Sequence, residues 1–348
     1  MHLLPQSVHD DADVQAIESF KEIYQEIHSA KSILLVPGKL LHKFEHLPKL
    51  KKVSVIKRTT NEIFHEVTTI IASLALDLID EVSELTDESK LIFNKLTIKA
   101  GKHFSTAASV KEVPRFIKTY NIDMSEFEEA QQYNSFNDFF SRKIKLNLRP
   151  MPSDPYAFLS AADCRCMVFS DSKKATDIWI KGNEFSIAKL VLDDQLANRY
   201  IDNCCLVIFR LAPDDYHRWH FPFNGVLKSI NIIPGTYYTV NPKAVNSCIN
   251  VFTENHRVVR VFDTDFGEIV EIAVGALLVG SISVNHTELN AVVQQGEDAG
   301  YFAYGGSTVI YLINKNRVIF DDDLLQNGHQ RQMETYIKVR EQIGYMAK

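Results

Sequence analysis

CCLVIFRLAPDDYHRWHFPFNGVLKSINII, residues 204–233, is the stretch on which the fold turns. Its two ends, CCLVIFRL and VLKSINII, are β-branched and apolar runs, and the piece between them carries the Pro, Asp, Asn and Gly that punctuate strands. The same texture returns in EIVEIAVG (268–275) and STVIYLI (307–313), so the chain reads as strand and turn from about Cys204 onward. Upstream the period changes. Ile63, Val67, Ile70, Ile71, Leu74, Leu78 and Val82 recur at three- and four-residue steps, the spacing of a helix with one buried face. Asp87 to Lys118 continues in that style, with Thr86 or Asp87 as N-cap and Pro114 placed to open a further helix. Downstream, Met333, Tyr336, Ile337 and Arg340 restore helical spacing and predict a C-terminal helix over Gln330 to Ile343. Helices first, strands in the middle and one helix last favour an α+β fold over a βαβ alternation. The β part is expected to be a mainly antiparallel core. No internal repeat is present.

A chain of 348 residues is long enough for about two domains. With 45% hydrophobic and 24% charged residues it has the composition of a globular protein rather than a disordered or fibrous one. The 38 basic and 44 acidic residues leave a formal charge of −6, which excludes the global basic field of a non-specific nucleic-acid binder. Five cysteines, Cys164, Cys166, Cys204, Cys205 and Cys248, are odd in number and lack both disulfide-framework and paired CxxC spacing, so they read as reduced thiols. The N-terminus has neither a basic-then-apolar secretory pattern nor an Arg-rich transit pattern. The most apolar window, Val67 to Ile79, contains Thr68, Thr69, Ser73 and Asp77 and predicts no membrane span. One anomaly stands out: Lys39, Lys43, Lys49, Lys51, Lys52, Lys57 and Arg58 face only Glu45, with leucines and a phenylalanine interleaved. This segment suits an anionic membrane surface, or else forms a solvated basic face.

Groups that could do acid, base or nucleophile work fall in three places. Ser160-Ala-Ala-Asp163-Cys-Arg165 offers an Asp that is either functional or half of a structural ion pair. His217 and His220 lie among Tyr216, Trp219 and Phe221, a setting that desolvates an imidazole and keeps it neutral, hence usable as a base. H-x-x-H could be half a metal site, but no third ligand follows at suitable spacing, so no metal is expected. Tyr304-Gly305-Gly306-Ser307-Thr308 puts two glycines ahead of a serine, which allows close approach of the Gly306 carbonyl and the Ser307 hydroxyl, or a plain glycine turn. A G-x-S-x-G elbow is excluded because position 309 is Val.

Together these segments closely resemble the phosphatidylserine decarboxylases, pyruvoyl-dependent enzymes that cut themselves at a Gly-Ser bond. The resemblance runs from about Leu96 to Gly344, through FNDFFSRKIKLNLRPM (136–151), the Asp163 segment, WIKGNEFSIAKL (179–190), RLAPDDYHRWHFPFNG (210–225), GTYYTVNP (235–242), VFTENHRVV (251–259), VGALLVGSI (274–282) and YGGST (304–308). It implies that Asp163, His220 and Ser307 form the self-processing triad, with His220 as base and Asp163 orienting it, and that His217 is the other catalytic histidine, returning a proton after decarboxylation. It implies cleavage between Gly306 and Ser307. The pyruvoyl cofactor would then derive from Ser307 and act on phosphatidylserine through a Schiff base to give phosphatidylethanolamine and CO2. The GGST form is similar to the type II branch.

On this reading residues 1–130 are a helical region with membrane contact and residues 131–348 the decarboxylase domain, cut into a β chain (1–306) and an α chain (307–348). The expected partners are phosphatidylserine in a membrane, the two chains of one precursor and, as an option, a second copy in a homo-oligomer. The expected location is peripheral, on a cytoplasmic or endomembrane face. Two departures bear on this. The family's S-P-A-D-G segment is Ser160-Ala161-Ala162-Asp163-Cys164 here, and the C2 and EF-hand-like extensions of some type II members are not in the sequence, which leaves recruitment to the helical third or a partner. The alternatives are a pyruvoyl-dependent decarboxylase of a free aromatic amino acid, against which GTYYTVNP and VFTENHRVV count, a non-catalytic lipid-binding member of the fold, or a serine hydrolase.

Overall fold

The computed structural model describes residues 94, 97–98, 100–128, 132–172, 185–201, 203–238, 240, 245, 250–276, 281–303, 307–328 and 333–347. The helical period over residues 63–82, the cap at 86–87, the basic segment 39–58, Cys248 and Gly306 lie outside these. The helices are α1 (Val113–Tyr120), α2 (Phe136–Phe140), α3 (Ile187–Val191), α4 (Asp194–Tyr200), α5 (Val251–Glu254) and α6 (Asp322–Gln326). The first strands are β1 (Ala157–Leu159), β2 (Cys164–Phe169), β3 (Cys204–Leu211), β4 (Arg218–His220), β5 (Gly225–Ile233), β6 (Arg257–Thr264) and β7 (Gly267–Gly275). They are followed by β8 (Ile282–Val284), β9 (Val292–Val293), β10 (Asp298–Phe302), β11 (Ser307–Asn314), β12 (Val318–Phe320), β13 (Thr335–Ile337) and β14 (Gln342–Met346).

Eight strands form the main sheet in the order β13-β2-β3-β11-β7-β6-β5-β9, and every pairing is antiparallel. Two three-stranded sheets, β1-β14-β12 and β4-β10-β8, hold the other strands of the described residues. The mainly antiparallel α+β class read from the sequence is what the chain adopts. CCLVIFRL becomes β3 and STVIYLI falls in β11, and both are buried almost end to end, as continuous apolar runs in the middle of a covered sheet must be. VLKSINII becomes most of β5, where exposed residues recur because it lies near the sheet edge. Pro114 sits in the first turn of α1, where its missing N–H costs no helical hydrogen bond. Ser135 caps α2 by accepting from the Asp138 N–H, and the apolar face of that helix, Phe136, Phe139 and Phe140, is buried against Phe104 and Phe116.

The C-terminal helix predicted for Gln330 to Ile343 is not formed. Thr335–Ile337 instead pairs with β2, with Thr335 opposite Cys166 and Ile337 opposite Cys164. Arg340 turns the chain with φ of 70°, and Gln342–Met346 runs between β1 and β12. The helical spacing of Met333, Tyr336, Ile337 and Arg340 was coincidental. Free edges on β2, β1 and β12 offered this segment a full backbone ladder, and tertiary pairing outweighs a weak local period. Gly344 shows how close that pairing is, since a Cβ there would lie 2.5 Å from the Ile319 carbonyl oxygen.

Inside the main sheet one polar line crosses three strands. Arg260 on β6 stands opposite Glu271 on β7, which stands opposite Tyr311 on β11. Arg260 Nε donates to Glu271 Oε1 at 2.8 Å, and the Tyr311 hydroxyl donates to Oε2 at 2.8 Å. All three side chains are buried. The guanidinium also donates to the Asn285 and Ala299 carbonyls, so the pair is desolvated but satisfied. Tyr311→Phe leaves Glu271 short of one donor and should lower stability by about 1.5–3 kcal/mol, read from the urea midpoint. A loss below about 0.5 kcal/mol would show that the line adds nothing to the sheet's own hydrogen bonds.

Candidate functional site

Ser307 is the first residue of β11 and is held from both sides, opposite Leu211 of β3 and Gly275 of β7. Its hydroxyl lies 3.3 Å from Nδ1 of His217. That histidine follows the turn APDDYH, which Asp215 closes by accepting from the Ala212 N–H at 2.7 Å and from Arg165 Nη1 at 2.6 Å. The turn aims the Ala212 carbonyl at His217 Nε2, 3.0 Å away. A carbonyl can only accept, so Nε2 carries the proton and Nδ1 presents its lone pair to the Ser307 O–H. Phe140 of α2 stacks on the imidazole with centroids 3.9 Å apart. Burial, and then the nearby Arg142 charge, push this histidine down to about 3. It is a neutral acceptor at neutral pH.

His220, at the end of β4, is held in the opposite tautomer. Nδ1 donates to the Gly296 carbonyl at 2.9 Å, and Nε2 accepts from the Tyr216 hydroxyl at 3.0 Å. Its backbone N–H donates to the Ala161 carbonyl at 2.7 Å. Burial holds its pKa below the ordinary value, while the Gly296 carbonyl, Asp298 and Asp163 pull the other way. Arg340 also donates to the Gly296 carbonyl, through Nη2 at 2.6 Å. Position 296 needs glycine: its φ is 76°, and a Cβ would meet Met151 Sδ at 2.5 Å.

Asp163 is buried beside the same turn. One carboxylate oxygen takes Arg149 Nη2 at 2.9 Å, and the other accepts the Val339 N–H at 2.8 Å. Arg149 is shared with Glu126, at 2.8 Å. Of the residues the sequence singled out, the fold therefore brings Ser307 and His217 into contact. His220 and Asp163 are near neighbours through the 160–163 turn, since Ala161 holds the His220 backbone. The expected hydrogen bonds from Asp163 to His220 and from His220 to Ser307 are not made, because each group has other partners. Sequence reading passed over Asp215, Tyr216, Arg142, Arg149 and Gly296. The first two stood in plain view inside APDDYH, but nothing local marked Gly296 or the Val339 N–H.

Among the described residues no group of three or more His, Cys, Asp and Glu could hold a metal ion. Cys164, Cys166, Cys204 and Cys205 are free and buried. Burial pushes the Cys204 thiol up to about 11, so it stays protonated and unreactive. No helix among the described residues is long and apolar enough to cross a membrane.

The sequence model of one family, described as phosphatidylserine decarboxylase, matches residues 136–345. The chain is 39% identical over 296 residues to phosphatidylserine decarboxylase proenzyme 2 of Saccharomyces cerevisiae, covering 84% of this chain and 26% of that protein. It is 42% identical to proenzyme 2 of Oryza sativa subsp. japonica, covering 73% of this chain and 42% of the relative. With the phosphatidylserine decarboxylase proenzyme of Fusobacterium nucleatum it shares 34% identity, over 84% of this chain and 98% of the bacterial one. The chain thus spans a quarter to two fifths of the yeast and plant relatives and nearly all of the bacterial one.

The depressed His217 has a stability consequence with a definite sign. Its unfolded counterpart titrates near 6.5, so above that pH both states are neutral and the residue adds no pH dependence. Below it the unfolded chain binds a proton that the folded chain refuses until about pH 3, so stability falls as pH falls through that window. His217→Gln, which cannot titrate, should flatten the fall in urea midpoint between about pH 7 and about pH 5. An unchanged slope would mean that His217 is protonated in the folded protein.

Proposed function

Since the chain belongs to the phosphatidylserine decarboxylase family, we propose that it is a self-processing proenzyme whose mature form converts phosphatidylserine to phosphatidylethanolamine and CO2. The observation that carries this reading is the buried Ser307 hydroxyl aimed at a neutral imidazole at the head of a strand paired on both sides. A serine so placed cannot drift, and His217 holds its hydroxyl in one orientation.

In the self-cleavage, Ser307 Oγ attacks the Gly306 carbonyl carbon and gives up its proton to an imidazole. The C–N bond breaks, the proton passes to the Ser307 nitrogen, and the backbone becomes an ester. Loss of the Ser307 α-proton expels the Gly306 carboxylate and leaves dehydroalanine. Its tautomer takes up water, releases ammonia and leaves a pyruvoyl group at position 307. The surroundings fit such a group: the position is buried, and the imidazole beside it is neutral. Once formed, the pyruvoyl carbonyl supplies an electrophile for the substrate amine and an electron sink for the breaking carbon–carboxylate bond.

The two histidines divide the work. His217 fixes the Ser307 hydroxyl, but at about 3 it is a weak base. We assign the first proton transfer to His220, which the Asp163 charge helps to protonate, with Asp163, His220 and Ser307 as the relay. His220 takes that proton by exchanging the Tyr216 hydroxyl for Ser307. His217, already beside position 307, is assigned the relay of a proton to the product after CO2 leaves; neutral at rest, it takes that proton up from water and passes it on at once. The cut would divide the protein into a β chain (1–306) and an α chain (307–348). The chains stay joined through the β11 ladders, the Arg210–Glu334 and Lys315–Asp171 ion pairs and the bond from the Val339 N–H to Asp163. The bilayer contact of this peripheral enzyme is assigned to the helical region 1–130, most of which lies outside the described residues.

Intact mass of the purified protein tests the reading. Two chains are expected, the smaller beginning at a pyruvoyl group that reacts with carbonyl reagents, and Ser307→Ala should stay whole. An uncut wild-type chain would sink the decarboxylase reading. His220→Ala should also remain uncut, whereas His217→Ala should cut itself and then fail on liposomal phosphatidylserine. The reverse pattern would make His217 the processing base. Turnover of free tryptophan in place of the phospholipid would move the enzyme to the amino-acid branch.

A further inference from the structure

Among the described residues the buried arginines other than Arg142 are gripped by carboxylates or carbonyls, with Nε of Arg149 their one unpaired nitrogen. Arg257 gives its three nitrogens to the Leu190, Asn255 and Lys189 carbonyls. Arg260 takes Glu271 and two carbonyls, and Arg149 takes two carboxylates. Arg142, only 4% exposed, has no ion-pair partner among the described residues. Its guanidinium lies 4.0 Å over the Phe127 ring and 4.7 Å over the Phe139 ring, and Nη1 makes one long bond of 3.4 Å to the Phe139 carbonyl. Nε and Nη2 have no hydrogen-bond partner among the described residues.

The unpaired edge is an informative one. Arg199, Arg210 and Arg260 each use the Nε and Nη2 side of the guanidinium to grip a glutamate. In Arg142 that same fork, shaped for two oxygens of one anion, is empty-handed. It also stands by the reacting centre. Arg142 directly follows Ser141, the C-cap of α2, whose Phe140 stacks on His217. Its charge is felt by that histidine. Burial lowers its own pKa only to about 10, so it stays a cation at neutral pH.

We propose that Arg142 is the anion-binding residue of the substrate site and that its unpaired, buried fork takes the phosphodiester of the phospholipid headgroup. This rests on the decarboxylase reading for the identity of the ligand. The substrate offers two anions, and the chemistry selects between them. A guanidinium clamped on the carboxylate would stabilise the group that must leave as neutral CO2, holding the ground state more tightly than the transition state. The phosphodiester keeps its charge throughout, so binding it helps ground and transition states alike.

The test compares the wild-type chain with Arg142→Gln and Arg142→Lys in two assays. In the first, glycerophosphoglycerol, an amine-free phosphodiester, is added and the melting temperature followed, with acetate at equal ionic strength as the carboxylate probe. The phosphodiester should raise the wild-type value, leave Arg142→Gln unmoved and give Arg142→Lys a partial shift. Absence of the wild-type shift, its survival in Arg142→Gln, or the same response to acetate overturns the proposal. In the second, phosphatidylserine in mixed micelles is the substrate, and Arg142→Gln should raise KM about tenfold with kcat within about twofold. A fall in kcat at constant KM points to the carboxylate and also overturns it. The melting assay needs no cleavage, so failure of the decarboxylase reading shows separately, as an uncut wild-type band. If Arg142→Gln does not fold, Arg142→Lys carries the comparison, and a full wild-type shift in it counts against the assignment.

Discussion

Arg260, Glu271 and Tyr311 lie side by side on three adjacent strands and exchange their hydrogen bonds in the interior of the sheet. A buried carboxylate tolerates no substitute partner, so this line forbids β11 from sliding between β3 and β7. A slip of one residue would turn Tyr311 to the other face and leave Glu271 uncompensated. Ser307 sits four residues earlier on the same strand, on the same face as Tyr311 by the alternation of side chains. The constraint on Tyr311 is therefore also a constraint on where the Ser307 hydroxyl points.

The two histidines are set by a different device. Each gives one ring N–H to a backbone carbonyl, His217 to Ala212 and His220 to Gly296, through opposite nitrogens. The remaining nitrogen of each is then a lone pair aimed at a hydroxyl, Ser307 in one case and Tyr216 in the other. Backbone carbonyls cannot lose or gain protons near neutrality, so the tautomers are fixed by the fold rather than by pH. Asp215, Gly296 and Arg340 matter because they hold those carbonyls in place.

Most charge in the described interior is paired, and Arg142 departs from that. Asp163, Glu271, Arg149, Arg257 and Arg260 all have partners, which ties residues 126–163 to Val339 and residues 257–271 to Leu190 and Tyr311. Arg142 alone among these buried ions keeps a free fork, next to the histidine that touches Ser307. Arg149 leaves a single nitrogen unpaired, whereas Arg142 leaves the two-nitrogen edge that matches one anion, and that edge is the one assigned to a ligand.

The strands were legible because CCLVIFRL, VLKSINII, EIVEIAVG and STVIYLI bury apolar side chains wherever they pair, a property that residue type carries on its own. Ser307 behind two glycines and two histidines in an aromatic run were legible for the same reason, since the chemistry of those groups is local. The C-terminal helix misled because a coincidental period was visible while its pairing edges, on β1, β2 and β12, were invisible in one dimension. Contacts across 90 residues, from Ser307 to His217, or 176, from Val339 to Asp163, have no local trace either. Sequence by itself determined which residues are strand-forming and where side chains with acid, base or nucleophile chemistry sit along the chain. Which nitrogen of each histidine holds its proton, and which hydroxyl each lone pair meets, was decided only when folding brought carbonyls such as Gly296 to the rings, because a tautomer is set by its partner in space.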